Sequence, residues 1–322
     1  MGRRLVLRKP HGELEVEDYA PVRPRESQLQ IRNLATSLNH LDWKRIDNNV
    51  FIPSFPHVLG MDIAGEIIAG VSERFRIGDV VIARGSVGYS DGCSFQTHVL
   101  VEENNCAKIE SETPVIEACT IPFSLATAAC GLYLGLGLGR IANYCNVPTP
   151  VLIWGANGSV GKLAVQLAKL SGHFVIAVTS TESSISAVKA RGADVVFTNL
   201  DEDIVSRIQA VAPGLRHAFD TVVTMDTVGR ISQCVEKPAK ISTAIRYLGE
   251  SDIGIDIVPV FSGEAMGRTA TGAPSLAGAE LGGWLWKNIS AWLQESKITP
   301  LESKNIGGLE SISAKIDIYN KP

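Results

Sequence analysis

The chain has 322 residues, enough for two domains at roughly 100–200 residues each and for a large buried core. Its 45% apolar and 20% charged residues form an ordinary globular composition, which excludes disorder as a global description. Thirty basic against 34 acidic side chains leave a net charge of −4, so no positive field exists to hold a nucleic-acid backbone or an anionic membrane surface.

The opening segment, MGRRLVLRKPHGELEVEDYA, has basic residues but no signal-peptide apolar run and no small-residue cleavage site, and the terminal YNKP carries no lipidation or targeting signal. Cysteines stand at 93, 106, 119, 130, 145 and 234, with neither the C-x₂-C spacing of a zinc module nor the density of a disulfide scaffold. Free thiols and a cytoplasmic location are expected. Up to about residue 115 the chain shows short alternating or apolar runs (LVLR, ELEVEDY, QLQIRNLA, DIAGEIIAG, DVVIAR, THVLVEE) punctuated by Gly60, Gly65, Gly70, Gly78 and Gly85, the pattern of an all-β unit. Residues 118–139 follow without a charge, long enough to cross a bilayer. Pro122, four glycines and several small or hydroxylated residues make this stretch a helix buried in a soluble protein instead.

From about residue 150 six strand-sized runs, at 151–154, 174–178, 194–197, 218–223, 241–248 and 255–260, alternate with helical segments and predict a doubly wound parallel sheet. Beyond 262 a Gly/Ala/Thr/Ser-rich loop, read as mobile or ligand-facing, leads into a helix carrying Trp284, Trp286, Ile289, Trp292 and Leu293 at helical spacing. That stripe is expected to pack in a core or interface, since only Lys287 is interleaved with it.

The strongest motif is strand VLIW running into Gly155-Ala156-Asn157-Gly158-Ser159-Val160-Gly161 and then into an amphipathic helix. A dinucleotide site needs this: a tight turn, a residue without a side chain at Gly158 so that the backbone can approach a pyrophosphate, and Gly161 so that helix and strand can touch. The free N–H groups at the helix start meet the negative charge. After the second strand comes Thr179-Ser180-Thr181-Glu182-Ser183-Ser184, where an NAD site would place a carboxylate for the ribose hydroxyl. Hydroxyl donors there, with Lys189 and Arg191 close in sequence, favour the 2′-phosphate of NADPH; Glu182 opposes it, and the same run also serves as a helix N-cap.

Six stretches, SLNHLDWK (37–44), FPHVLGMDIAGEI (55–67), RIGDVVIA (76–83), ACTIPFSLATAACGLY (118–133), VLIWGANGSVGKLAVQLAK (151–169) and ARGADVVF (190–197), together resemble the medium-chain dehydrogenase/reductase superfamily. Within it the chain is most similar to fungal trans-acting enoyl reductases that serve polyketide synthases, and to quinone-reductase-like members. The resemblance implies an α/β protein with a GroES-like β-rich catalytic domain over residues 1–117, a Rossmann domain over 118–262 with the cofactor in the cleft, and a return segment over 263–322. Zinc-dependent members supply a Cys and a Gly-His-Glu where this chain has Asn39, next to His40, and Gly60-Met61-Asp62; an amide and a thioether do not replace thiolate and imidazole, so no metal is expected. His40 and Cys119 remain as isolated candidates for ligands.

Without a Lewis acid, the suited chemistry is hydride delivery to an electron-poor alkene, either a small-molecule or an acyl-carrier-tethered enoyl substrate. The resemblance places Thr127 beside the nicotinamide, brings strand ends near Leu248 and Phe261-Ser262 to the same ring, and turns Lys44 and Asn39 toward the substrate, with Lys44 as oxyanion donor or proton source. A solvated strand-end lysine is the plain alternative for Lys44, and packing is the plainer job for Tyr89 and Tyr133. Relatives also close with a further β-strand after a segment like GGLESISAKIDIYNK, where this chain stops at Pro322. A quinone reductase and a non-reductive ligand-binding protein are the alternative functions.

Overall fold

In this computed structural model residues 1–109, 112–140 and 148–316 are described; Cys145 and residues 317–322 lie outside them. In chain order the elements are β1 (Gly2–Leu7), β2 (Leu14–Tyr19), β3 (Gln28–Ala35), α1 (His40–Asn48), β4 (His57–Val58), β5 (Asp62–Gly70), β6 (Val80–Arg84), β7 (His98–Glu102), β8 (Cys106–Lys108), α2 (Val115–Ala118) and α3 (Pro122–Ala129). The chain continues through β9 (Pro150–Trp154), α4 (Ser159–Leu170), β10 (Phe174–Thr179), α5 (Ile185–Ala190), β11 (Val195–Thr198), α6 (Ile204–Val211), β12 (His217–Asp220), α7 (Met225–Cys234), β13 (Ala239–Thr243), β14 (Ile255–Pro259), α8 (Leu276–Gln294) and α9 (Leu309–Ile316).

These elements divide into two units: Met1–Phe123 with Trp286–Glu295 and Pro300–Pro322, and Ser124–Leu285 with Ser296–Thr299. The first holds an antiparallel sheet in the order β7-β3-β5-β6-β8 and a smaller one in the order β2-β1-β4. Alternation sets the inner face of β3, where Leu29 and Ile31 point into a core with Ile63, Ile67, Val81 and Val99. A second core joins Leu5, Val6 and Leu7 of β1 to Phe95, Leu59 and the inner face of α9, Ile312 and Ile316.

The second unit is a parallel sheet in the order β11-β10-β9-β12-β13-β14, the doubly wound arrangement, with its reversal between β9 and β12. Its central strands carry continuous apolar runs because both faces are covered: Val151, Leu152, Ile153 and Trp154 of β9 are all buried. Amphipathic α4 buries Leu163, Ala164, Leu167 and Ala168. The helical run Val115–Gly135, made of α2, α3 and a π-helix at Cys130–Gly135 and overlapping the uncharged stretch, passes the length and composition test for a membrane span and is mostly buried inside the protein. Gly131 and Gly135 let that π turn press on the sheet: a Cβ at Gly131 would sit 2.6 Å from the Phe219 ring, and one at Gly135 would overlap the Ser242 hydroxyl.

Three sequence expectations change. The predicted strands over 218–223 and 241–248 end at Asp220 and Thr243; the first stops where the Asp220 carboxylate accepts from the N–H groups of Val222 and Val223 (2.9 and 3.0 Å) and turns the chain out of the sheet. The loop after 262 is ordered as a 3₁₀ helix, Ser262–Met266, and an Arg268–Pro274 bridge. The boundary falls between Phe123 and Ser124, and residues 263–285 stay with the second unit: Arg140 pairs with Glu280 at 2.8 Å and Trp284 meets Tyr133 edge to face at 5.5 Å. Of the predicted stripe, Trp286, Ile289, Trp292 and Leu293 are buried.

Neighbouring glycines of α8 test this packing with one substitution of opposite sign. A Cβ at Gly282 would overlap the Ala265 carbonyl oxygen, whereas nothing lies within 4 Å of one at Gly283. Gly282→Ala is expected to lower stability by about 1–3 kcal/mol, and Gly283→Ala to raise it by about 0.5–1 kcal/mol, both read from urea unfolding.

Candidate functional site

Beyond β9 the backbone of Gly155 takes φ +78°, a left-handed conformation, and a Cβ there would lie 2.5 Å from the Thr221 hydroxyl. The N–H groups of Gly155 and Ala156 both donate to the Val178 carbonyl (3.0 and 2.9 Å), which ties the turn to the end of β10. Thr221 Oγ1 locks the other side, donating to the carbonyls of Trp154 and Gly155 (2.9 and 3.1 Å). At Gly161 a Cβ would overlap the Gly155 carbonyl oxygen, so α4 reaches the turn only with glycine in this place. Gly158 faces outward: it and Ser159 are exposed, and a Cβ added to Gly158 meets nothing nearer than 3.4 Å. The helical ladder opens with Lys162 N–H to Gly158 C=O (2.9 Å), so the N–H groups of Ser159, Val160 and Gly161 precede it at the positive end of the helix dipole. A pyrophosphate fits this end, with Asn157 half-exposed beside it and Ala156 buried under it.

The hydroxyl cluster after β10 is divided. Thr179 is buried and its hydroxyl donates to the Thr181 carbonyl (2.9 Å), whereas Ser180 and Thr181 are exposed. Thr181 Oγ1 lies 2.6 Å from Ser184 Oγ and accepts from Ser183 Oγ at 3.2 Å. Arg191 is not brought to this cluster: it caps the far end of α5, and its guanidinium donates to Thr299 Oγ1 at 3.0 Å. Lys189 instead lines a groove of about 600 Å³ with Ser183, Thr198, Asp201 and Arg207.

Of the residues expected at the nicotinamide, Thr127 is buried on α3 and Ser262 is buried just beyond β14, with Phe261 at the N-cap of the 3₁₀ helix. Leu248 is not at a strand end. It stands 86% exposed in the loop that follows β13. Tyr133 is committed elsewhere, its hydroxyl 2.6 Å from Ser171 Oγ, and burial pushes its pKa up to about 12. Tyr89 shows the same upward push from burial.

In the first unit Asn39 is the N-cap of α1 and forms a capping box, the Asp42 carboxylate accepting from Asn39 N–H at 2.8 Å. The Asn39 amide Nδ2 donates to Asp62 Oδ2 at 2.7 Å. Asp62 is fully buried at the start of β5, where Ser37 Oγ also donates to Oδ2 and the Phe123 N–H donates to Oδ1 at 2.7 Å. Burial raises the Asp62 pKa, against the pull of Asn39, Ser37, Phe123 and the Arg84 guanidinium on the neighbouring strand. Asp42, equally buried, is pushed up to about 7, chiefly by burial. Lys44 sits on α1, not at a strand end; its half-buried ammonium stands 5.5 Å over the Trp43 ring, and burial lowers its pKa.

Behind α1, Arg45 is buried and donates to the Phe51 carbonyl (3.0 Å) and to His57 Nε2 (2.8 Å). His57 Nδ1 is therefore the protonated nitrogen, 3.2 Å from Ser90 Oγ, and Cys93 Sγ is 3.9 Å from Nε2. Burial, then the Arg45 charge, hold the His57 pKa down to about 4. None of Asp42, Arg45 or His57 was singled out by the sequence; the Asn39-x-x-Asp42 spacing of a capping box was the available signal.

Comparison with known proteins adds to this geometry. Residues 25–154 match the alcohol dehydrogenase GroES-like domain, and residues 159–249 match the zinc-binding dehydrogenase family. The trans-enoyl reductase TOXD of Cochliobolus carbonum is 30% identical over 68% of this chain and 74% of its own length. The trans-enoyl reductase himH of Aspergillus japonicus is 26% identical over 91% of this chain and 86% of its own. The chain belongs to the medium-chain dehydrogenase/reductase superfamily. Solved structures share the fold, among them the CurK enoyl reductase (TM-score 0.78, 19% identity, 99% of this chain and 96% of that one) and an alcohol dehydrogenase superfamily protein of Novosphingobium aromaticivorans (TM-score 0.82, 21% identity, 98% and 94%).

At Met61 and Asn39, where zinc-dependent members of the superfamily carry ligands, and at the two isolated candidates, Cys119 and His40, the side chains are engaged within the protein. Met61 is buried in the core, the Asn39 amide is bonded to Asp62, and the buried Cys119 thiol donates to the Ile116 carbonyl at 3.1 Å, its pKa pushed up to about 12 by burial. His40 Nδ1 accepts from Trp43 Nε1 at 3.4 Å. Among the described residues no group of three or more His, Cys, Asp or Glu side chains makes a zinc-ligand set.

The His57 pKa of about 4, below its unfolded value of 6.5, means that the unfolded chain binds the extra proton first. Stability from neutral, buried His57 is therefore complete above pH 6.5 and is lost as pH falls toward 4, by about 3 kcal/mol. His57→Gln removes this dependence, so the stability gap between wild type and variant in urea unfolding is expected to narrow by that amount from pH 7 to pH 4.

Proposed function

We propose that this chain is a zinc-independent, NADPH-dependent enoyl reductase that reduces an acyl chain tethered to a carrier protein, acting in trans on a polyketide synthase. The observation that carries the reading is the turn Gly155–Gly161, whose close packing and outward N–H groups suit a pyrophosphate, in a chain whose relatives over most of its length are trans-enoyl reductases. A strand end with exposed Ser180 and Thr181 and no carboxylate in the first two positions after β10 suits a 2′-phosphate. The five described cysteines, Cys93, Cys106, Cys119, Cys130 and Cys234, are buried thiols, as suits the cytoplasm.

Bound reduced nicotinamide supplies a hydride to the β-carbon of the enoyl group. The protein's part is to hold the reactants, stabilise the enolate-like oxygen that forms on the thioester carbonyl, and deliver a proton to the α-carbon. Asn39 and Lys44 are the donors for that oxygen, and the Lys44 ammonium, its pKa lowered by burial, is the proton source. Thr127, Phe261 and Ser262 are assigned to the nicotinamide ring by family resemblance.

The decisive assay follows loss of reduced-nicotinamide absorbance with enoyl thioesters of N-acetylcysteamine and their carrier-protein forms. Turnover of the thioesters, faster when carrier-bound, supports the reading. Turnover of soluble quinones alone would make the protein a quinone reductase, and NADPH binding without oxidation would make it a non-reductive member. Lys44→Met is expected to lower kcat about a hundredfold with NADPH affinity unchanged in fluorescence titration. Ser180→Asp places a carboxylate where the 2′-phosphate would sit and is expected to weaken NADPH binding by about tenfold or more while improving NADH binding.

A further inference from the structure

Asp62 occupies the place of an acid in the ligand motif of zinc-dependent relatives, and nothing in the proposed reaction uses it. It is fully buried, and three donors converge on its two oxygens: Ser37 Oγ and Asn39 Nδ2 on Oδ2, and the Phe123 N–H on Oδ1. Ser37 and Asn39 come from the segment between β3 and α1, and Phe123 lies at the start of α3, the helix that runs on to Thr127. A buried carboxylate makes such a convergence specific, because it accepts and does not donate, so an amide facing it must present its nitrogen.

We infer that Asp62 is the positioning residue for Asn39: it holds one amide N–H of the side chain and thereby leaves the second N–H for the substrate's carbonyl oxygen. This rests on the enoyl-reductase reading for the identity of that oxygen. The main chain of Asn39 is held separately by Asp42, whose Oδ2 accepts from the Asn39 N–H at 2.8 Å and whose N–H donates to the Asn39 carbonyl at 2.9 Å. The residue is thus gripped from both sides, main chain by Asp42 and side chain by Asp62. Its remaining donor is fixed in direction before any substrate arrives, which is the condition under which a hydrogen bond stabilises developing charge without reorganisation. An asparagine at position 62 offers either an oxygen or an NH₂ to Asn39, so the amide is free to flip and present its carbonyl to the substrate.

Asp62→Asn is expected to lower kcat for an enoyl thioester about tenfold to a hundredfold, with the KM and the Kd for NADPH changed less than about threefold, because the contact matters only as charge develops. Asn39→Ala is expected to cause a similar loss, and adding Asp62→Asn in the Asn39→Ala background to lower kcat no further. A kcat for Asp62→Asn within threefold of wild type, or full additivity of the two losses, overturns the inference and leaves Asp62 a merely structural carboxylate. If the wild type reduces no enoyl thioester, the functional reading fails separately, and the clamp is judged by nitrogen-edited NMR of the Asn39 side-chain amide. There the clamp requires one strongly downfield proton that is lost in Asp62→Asn, and its absence from the wild type overturns the clamp.

Discussion

The first unit is organised around charge taken out of water. Asp42, Asp62, Arg45 and Arg84 are all buried, and a buried ion is tolerated only where partners restore what solvation supplied. Meeting that demand ties the unit together: Asp62 draws in Ser37, Asn39 and Phe123, Asp42 draws in the N-terminus of α1, and Arg45 reaches the Phe51 carbonyl and His57. Arg84, the register partner of Asp62 on β6, donates to the Gly85 carbonyl and lies 5.7 Å over the Phe123 ring. These partners hold the loop before α1 and the nine-residue helix itself against β5 and α3.

The second unit solves a different problem, the approach of backbone to backbone. Gly155, Gly161 and the Thr221 hydroxyl fix a turn in which a strand, a helix start and the end of β10 are within hydrogen-bond or van der Waals contact. The same economy appears at Gly131 and Gly135, where the π turn after Thr127 closes on Phe219 and Ser242. In both places the main chain of glycine, without a side chain of its own, sets how closely the elements approach.

Shared fold and altered site separate cleanly in this protein. The superfamily's architecture persists, yet the positions that serve a metal elsewhere carry a core methionine and an amide held by a carboxylate. Function on a common scaffold is decided by such local substitutions, and they are read from chemistry, not from the fold.

The sequence alone determined the two-part architecture, the alternating β unit, the doubly wound sheet and the glycine turn, because these depend on local periodicity and on φ angles open to glycine. It also placed Asn39 and Lys44 in one segment. It did not show that Lys44 rides on a helix, that Arg191 is drawn to Thr299 while Lys189 keeps company with Ser183, or that the strands over 218–223 and 241–248 end early. Nor did it show that Asp62, 23 residues from Asn39 and 61 from Phe123, gathers both. Those outcomes depend on which donors and acceptors share a buried space, and only the tertiary structure brings residues so distant in the chain within hydrogen-bonding reach.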